Sequence, residues 1–362
     1  MRRKDRRSED QARSEAMTGK LRMAEATGKR SSGQRLATVC RDLLADALRT
    51  SADLFRIIIP ISIATRLLQQ LGLVDQLGVL LGPVMELVGL PGPVGLVWAT
   101  AMLTNLYGGM VVFASLAPAL ELSVAQTTIL TTMMLVAHGL PVELRIAQKA
   151  GTRLRAMLLL RIGGALLLGG LLNQIYRLSG TLQQANRALW NPPAVDPAWS
   201  SWLLAELRNM LSIFLIILCL MALLRLLQQV GITDLMTRLL EPVLALLGMG
   251  RQAAPVTIIG MTLGLSYGGG LIIREARSGA LSRRDLFCSL ALMGLCHSLA
   301  EDTLLMMLLG GHLSGLLWGR LIFSLLAVFL IGQLIQRLPA SVCDRYLFRP
   351  TPLHAQTANK EA

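Results

Sequence analysis

The residues in this chain best suited to chemistry stand in two similar strings, HGLPVE (His138–Glu143) and HSLAED (His297–Asp302). Imidazole and carboxylate bind both protons and divalent metals, so each string carries the parts of a proton relay or a cation site. His297 and Glu301 are four positions apart and would share one helical face, whereas His138 and Glu143 are five apart with Pro141 bending the turn between them. Ionisable groups inside a membrane are costly and usually face a cavity or a partner. The alternative is a helix-terminal histidine with carboxylates at the membrane boundary, balancing nearby arginines. Residue types alone name no metal.

A second pair of strings is TNLYGGMVVF (Thr104–Phe113) and LSYGGGLIIR (Leu265–Arg274), in which glycines interrupt an apolar run. Glycine lets a backbone unwind or another group approach closely. One reading is a discontinuous helix whose freed N–H and C=O groups line a polar cavity. Its substrate-binding residues would be Asn105, Tyr107, Gly108, Gly109, Ser266, Tyr267, Gly268 and Gly269. The other reading is close packing of helices through small residues. Arg66 with Asp75, and Arg225 with Asp234, read as snorkelling arginines and helix-starting aspartates; Arg56, Arg161 and Arg320 read as similarly structural. The five cysteines form no CxxC pair and read as small packing residues. No phosphate loop, nucleophile elbow, H-E-x-x-H or kinase signature appears, so an enzyme is not expected and no cofactor is implied.

The elements that must hold these strings are membrane helices. Hydrophobic residues make up 53% of the 362 and charged residues 16%, too few charges to solvate a water-soluble protein of this size. Crossing ~30 Å of hydrocarbon takes about 20 apolar residues. Runs of that kind lie at Leu54–Leu71, Val94–Leu120, Val124–Leu144, Met157–Tyr176, Met210–Val230, Val256–Ile273, Leu286–Gly310 and Leu316–Ile335. Two shorter stretches, Leu77–Leu90 and Leu235–Met249, carry a proline each and either span or re-enter. The net charge of +13 sits in a leader and in short connections, without aromatic interleaving, which fits membrane topology and argues against nucleic acid. Residues 1–42 read as a basic, disordered cytoplasmic tail and 338–362 as a cytoplasmic C-terminal tail. No secretory signal follows the basic stretch.

The chain also repeats itself. RLLQQLGLVDQLGVLLGPVMELVG from Arg66 matches RLLQQVGITDLMTRLLEPVLALLG from Arg225, with 13 identities in 24 positions at an offset of 159. The register slips by one where Tyr107-Gly108-Gly109 meets Tyr267-Gly268-Gly269, and returns to 159 where His138 meets His297. Each half is therefore one unit, 43–178 and 202–337, joined by a polar linker over 179–201. With five crossings per half, the loops holding Arg145, Lys149, Arg153 and Arg155, and Arg274, Arg277, Arg283 and Arg284, fall on the cytoplasmic side with both termini. The counterpart loops, Ala117–Gln126 and Leu308–Gly315, fall outside and contain no Lys or Arg. The expected fold is an all-α polytopic membrane protein of two inverted repeats, each of about five transmembrane or partly re-entrant helices, 8–10 spans in all. Inverted repeats with short broken helices mark secondary transporters, whose sites lie near the midplane at the repeat interface.

Together, the repeated proline segment, the YGG break and the paired histidine strings resemble the nucleoside-recognition or Gate domain family. That domain occurs in concentrative nucleoside transporters, in the membrane part of FeoB-type ferrous iron permeases, and in spore maturation proteins A and B. The resemblance covers both halves, as two Gate domains in tandem, and implies a multi-pass bacterial inner-membrane protein with a gate-like, transport-related role. The GTPase domain of the iron permeases and the extra helices of a complete nucleoside transporter have no counterpart here, so the resemblance names no particular solute. The expected function is a secondary transporter or permease of a nucleoside-like solute or an ion. The alternatives are a non-transporting scaffold that keeps the gate fold, and a divalent-metal permease. Expected partners are the lipid bilayer and a small solute or ion, with a homo-oligomer left open.

Overall fold

The computed structural model describes residues 32–190, 199–250, 252–279 and 281–349, and its regular structure there is helical. In the first half, α1 (Ser32–Gln70), α2 (Leu73–Glu86), α3 (Val94–Leu103), α4 (Leu106–Leu120), α5 (Val124–Val136), α6 (Leu140–Ala150) and α7 (Leu154–Ser179) follow in order. The second half runs α8 (Trp199–Gln229), α9 (Ile232–Leu246), α10 (Ala253–Leu263), α11 (Leu265–Ser278), α12 (Arg283–Leu295) and α13 (Glu301–Met307). It ends in a π-helical turn (Ser314–Gly319) that feeds α14 (Arg320–Arg337), and a short α15 (Ala340–Tyr346) follows.

The protein is an all-α polytopic membrane protein. Among the described residues, four helical stretches are long and apolar enough to cross a bilayer: Val124–Ala150, Leu154–Ser179, Trp199–Leu227 and Ser314–Arg337. Their chemistry is inside out. On α7, Leu159, Leu167 and Ile175 face outward while Arg161 is buried, as lipid contact on one side and a polar interior on the other require. Leu54–Leu71 closes the 39-residue α1, while other apolar runs are realised as shorter, broken helices. Val94–Leu120 is interrupted at Thr104 and Asn105, and of the four long stretches Val124–Ala150 is itself broken at Ala137–Gly139. At the end of α1 the chain turns by 97° into α2, at Gly72 with φ 66°, a left-handed conformation that a side chain would resist. Gly231, φ 80°, occupies the same place before α9. The 14 residues of α2 rise about 21 Å, short of ~30 Å of hydrocarbon, so α2 does not cross by itself: with α1 it makes either a broken span or a re-entrant segment.

The two halves correspond helix for helix. Leu73 and Ile232, Val94 and Ala253, Leu106 and Leu265, and Val124 and Arg283 open matching helices, each pair 159 apart. The one-residue slip at the YGG strings is therefore absent from the backbone: Asn105 and Gly264, not tyrosines, set where α4 and α11 begin. The repeats are also inverted. The end of α7 meets the start of the π turn, Tyr176 Oη lying 2.7 Å from Ser314 Oγ. The start of α7 instead lies beside the far end of the chain, Arg153 N donating to Leu347 O. Helix α14 runs back to that second end, where Arg284 at the start of α12 donates to Gly332 O. Helices α5 and α12 thus enter from opposite ends, and their C-termini meet in the middle.

Two segments outside the repeats are docked. Residues 182–190 form a strap: Val124 N and Ala125 N donate to Gln184 O and Leu182 O, Asn186 N to Leu122 O, and Trp190 N to Leu308 O. The Asn186 amide adds a bond to Leu309 O at 2.8 Å. At the opposite end α15 and Phe348 close against Gly151–Arg153 and α12, through an Arg283–Asp344 ion pair and a T-shaped Phe287–Phe348 contact. Residues 338–349 are therefore not a tail, because apolar Cys343 and Phe348 are buried there. Residues 32–42, assigned to the tail by composition, are the first three turns of α1. Nearby, Asp46 of α1 pairs with Arg225 of α8 at 2.7 Å. Residues 1–31, 191–198 and 350–362 lie outside the described residues.

Candidate functional site

Where α5 and α12 end, the backbone leaves the helix in the same way twice, at Ala137 (φ −137°, ψ 76°) and Cys296 (φ −149°, ψ 73°). The next residues are His138 and His297. Each ring is held by its own helix: Nδ1 of His138 bonds Met134 O at 2.9 Å and Nδ1 of His297 bonds Met293 O at 2.8 Å. A carbonyl only accepts, so in both rings Nδ1 carries the proton. In the neutral rings Nε2 is then left with a lone pair, and the two Nε2 atoms face each other at 3.2 Å.

The carboxylates arrive from the helices that follow. Gly139, φ 56°, turns the chain into α6 and places Glu143 in its first turn, where Oε1 lies 3.5 Å from both Nε2 atoms. In the second repeat Ser298, φ 47°, makes the turn and α13 opens on Glu301 and Asp302. Asp302, 8% exposed, places Oδ2 4.0 Å from His297 Nε2, and that oxygen has no hydrogen-bond partner. Glu143 and Asp302 are themselves 159 apart. The expected His297–Glu301 pairing on one helical face does not form, because the turn at Ser298 separates them; Asp302 takes the place beside the ring.

Two arginines complete the cluster. Arg161 of α7 is 2% exposed; its Nη1 pairs with Glu143 Oε2 and its Nε donates to Val136 O at 2.9 Å. Its stem crosses the interface to pack beside Gly294 of α12. Arg320, fully buried, donates through Nη2 to His297 O at 3.3 Å, and the π turn just before it sets its register into the interior. Neither is the snorkelling residue that a position inside an apolar run suggests. Arg161 Nη2 and Arg320 Nε and Nη1 are buried donors with no partner. A signal for this pair does exist in the sequence, since 161 and 320 also differ by 159.

The YGG strings contribute the breaks. Asn105 caps α4, its Oδ1 accepting from Gly108 N at 2.9 Å. Gly108 and Gly109 pack: a Cβ on Gly109 would stand 2.7 Å from Met134 Cε, on the residue whose carbonyl holds His138. Tyr107 is partly buried against the Leu106–Val136 side of the core. Helix α11 includes Ser266, Tyr267, Gly268 and Gly269, whose side chains and packing lie outside the described residues. The two breaks of the first half adjoin each other, Gly139 N donating to Ala101 O at 3.0 Å.

Fold and site together define a class: an inverted-repeat membrane protein with a buried ionisable cluster shared by the two repeats. Models of known families match the chain in the one described as nucleoside recognition (Gate), over residues 52–152 and 210–313. The chain belongs to this Gate family, with one copy of the domain in each repeat. Both matched segments contain the histidine and its carboxylate, and both stop before the arginine. The chain is also similar to YvoD, an uncharacterized membrane protein of Bacillus subtilis (strain 168). Identity is 30% over 271 residues, covering 74% of this chain and 85% of that one. No solved structure matches it.

Proposed function

We propose that this Gate-family protein is a secondary permease of the bacterial inner membrane, with both termini cytoplasmic, that binds a small solute or ion between its inverted repeats. The observation carrying this reading is the pairing of six ionisable side chains, His138, Glu143 and Arg161 with His297, Asp302 and Arg320, in the interior where two helices end against each other. Burying an ion costs several kcal/mol even after relaxation, and well-packed apolar residues of similar volume would usually hold a fold as well. Ionisable groups kept inside a membrane in this way mark solute and ion pathways. The straps at both ends tie repeat to repeat, so gating falls to the short broken helices α2–α4 and α9–α11, moving against the body formed by α5, α7, α12 and α14.

Uptake into proteoliposomes, with nucleosides and divalent cations offered separately, tests this. Uptake of one class by the parent protein, lost in the His138→Gln/His297→Gln double variant, is expected. No flux of any solute through folded, correctly inserted protein would instead make it a non-transporting scaffold with a gate fold.

A further inference from the structure

The positions of Nε2 of His138, Nε2 of His297 and Oε1 of Glu143 hold more information than their burial. With both Nδ1 protons engaged by Met134 O and Met293 O, neither neutral ring has an N–H to offer the other. Two lone pairs 3.2 Å apart repel, so this arrangement calls for a positive centre between them, either a proton or a metal ion. A proton shared between the rings would engage the two Nε2 atoms alone, whereas Glu143 Oε1 stands 3.5 Å from both and brings a third lone-pair donor to the same point.

That point is defined by distance. The three atoms form a triangle with sides of 3.2, 3.5 and 3.5 Å. The point equidistant from them lies about 2.0 Å from each, within the range of zinc–imidazole and zinc–carboxylate bonds. Sides of this size are also the edges of a tetrahedral shell built from such bonds. Asp302 Oδ2, buried and unpartnered, stands 4.0 Å from His297 Nε2 and offers the fourth ligand. His138, His297 and Asp302 place one potential ligand atom each within 4.8 Å of one another. The surroundings are those of a metal site too: each histidine donates its second ring N–H to a backbone carbonyl, and Glu143 is oriented through its other oxygen by Arg161.

We infer that the repeat interface holds one divalent d-block cation of the zinc type, bound by His138, His297 and Glu143 with Asp302 as fourth ligand. Two imidazoles and carboxylates in a four-coordinate arrangement suit such an ion better than calcium or magnesium, which take six or more oxygens or near-octahedral geometry. The inference deepens the permease reading by naming the ion class at its site, and the binding test stands apart from transport.

The test uses full-length protein in detergent and Co2+ alone, whose visible spectrum distinguishes four- from six-coordination. One Co2+ per chain with the intense bands of a tetrahedral site is expected, displaced by Zn2+ and untouched by excess Mg2+. His138→Gln/His297→Gln should lose those bands, while His138→Cys should keep the ion and add a thiolate-to-cobalt band, which a merely misfolded variant would not do. An absence of tetrahedral bands in the parent protein, or identical bands in the double glutamine variant, would overturn the site. Co2+ bound in this way without flux in liposomes would discard the permease and keep the metal; flux of another solute without metal binding would do the reverse.

Discussion

Glu143 divides its two oxygens, Oε2 to the Arg161 guanidinium and Oε1 towards both imidazoles, so one residue couples a buried charge to the site. Removing one member of a buried ion pair strands the other charge and typically costs about 3–5 kcal/mol. Glu143→Gln should therefore lower the thermal midpoint in detergent, and Glu143→Gln/Arg161→Met should recover a good part of the loss. Strict additivity of the two single effects would deny the coupling. The histidines and carboxylates were legible in the sequence because the repeat carries them at one offset. The repeat carries the arginines at that offset too, but their burial was not legible, since an apolar run gives a residue's distance along a helix and not the direction it faces: Leu159 and Arg161 are two residues apart, one exposed on the outer face and one buried. Both Glu301 and Asp302 stood as candidates; the pairing of His297 with Glu301 on one face assumes an unbroken helix over four residues, and Ser298 breaks it.

Among the elements, the short helices depend on their ends. Asn105 satisfies the first turn of α4 at the break, and Asn105→Ala should cost about 1 kcal/mol while Asn105→Asp, which keeps the acceptor, should cost much less. Chemical denaturation of the two variants side by side checks this; equal losses would give Asn105 a role other than capping. Gly109 lies against Met134, and Gly109→Leu should overpack that contact by about 1–3 kcal/mol and displace the carbonyl that orients His138. Reduced Co2+ affinity in that variant is the readout. Hydropathy showed Val94–Leu120 as one continuous run because it weighs side chains and is blind to backbone, whereas the glycines and Asn105 pointed to the break itself. The docked ends, 182–190 and 340–348, were illegible because what holds them lies far off in the chain: Leu122–Ala125 and Leu308–Leu309 for the first, Arg283 and Phe287 for the second.

The molecule as a whole is two copies of one Gate unit set head to tail and locked at both ends by straps. Inversion fixes which loops share a side, independently of any charge rule. Single cysteines replacing Glu121 and Thr181 should react with a membrane-impermeant thiol reagent from one face of the membrane, and those replacing Arg155 and Asp344 from the other. Labelling of all four from one face would remove the inversion, and with it the pairing of His138 with His297. Because metal ligands must be deprotonated, occupancy of the shared site should also fall as the medium is acidified, by a proton-release stoichiometry measurable in titration.

The most direct single measurement is zinc K-edge X-ray absorption on the full-length protein loaded with one equivalent of Zn2+. Two imidazoles and oxygen ligands per zinc at about 2.0–2.1 Å are expected, because only the junction of the two repeats supplies one histidine from each. A shell with fewer than two imidazoles, or a spectrum unchanged in His138→Gln/His297→Gln, would contradict a binding site shared between the repeats.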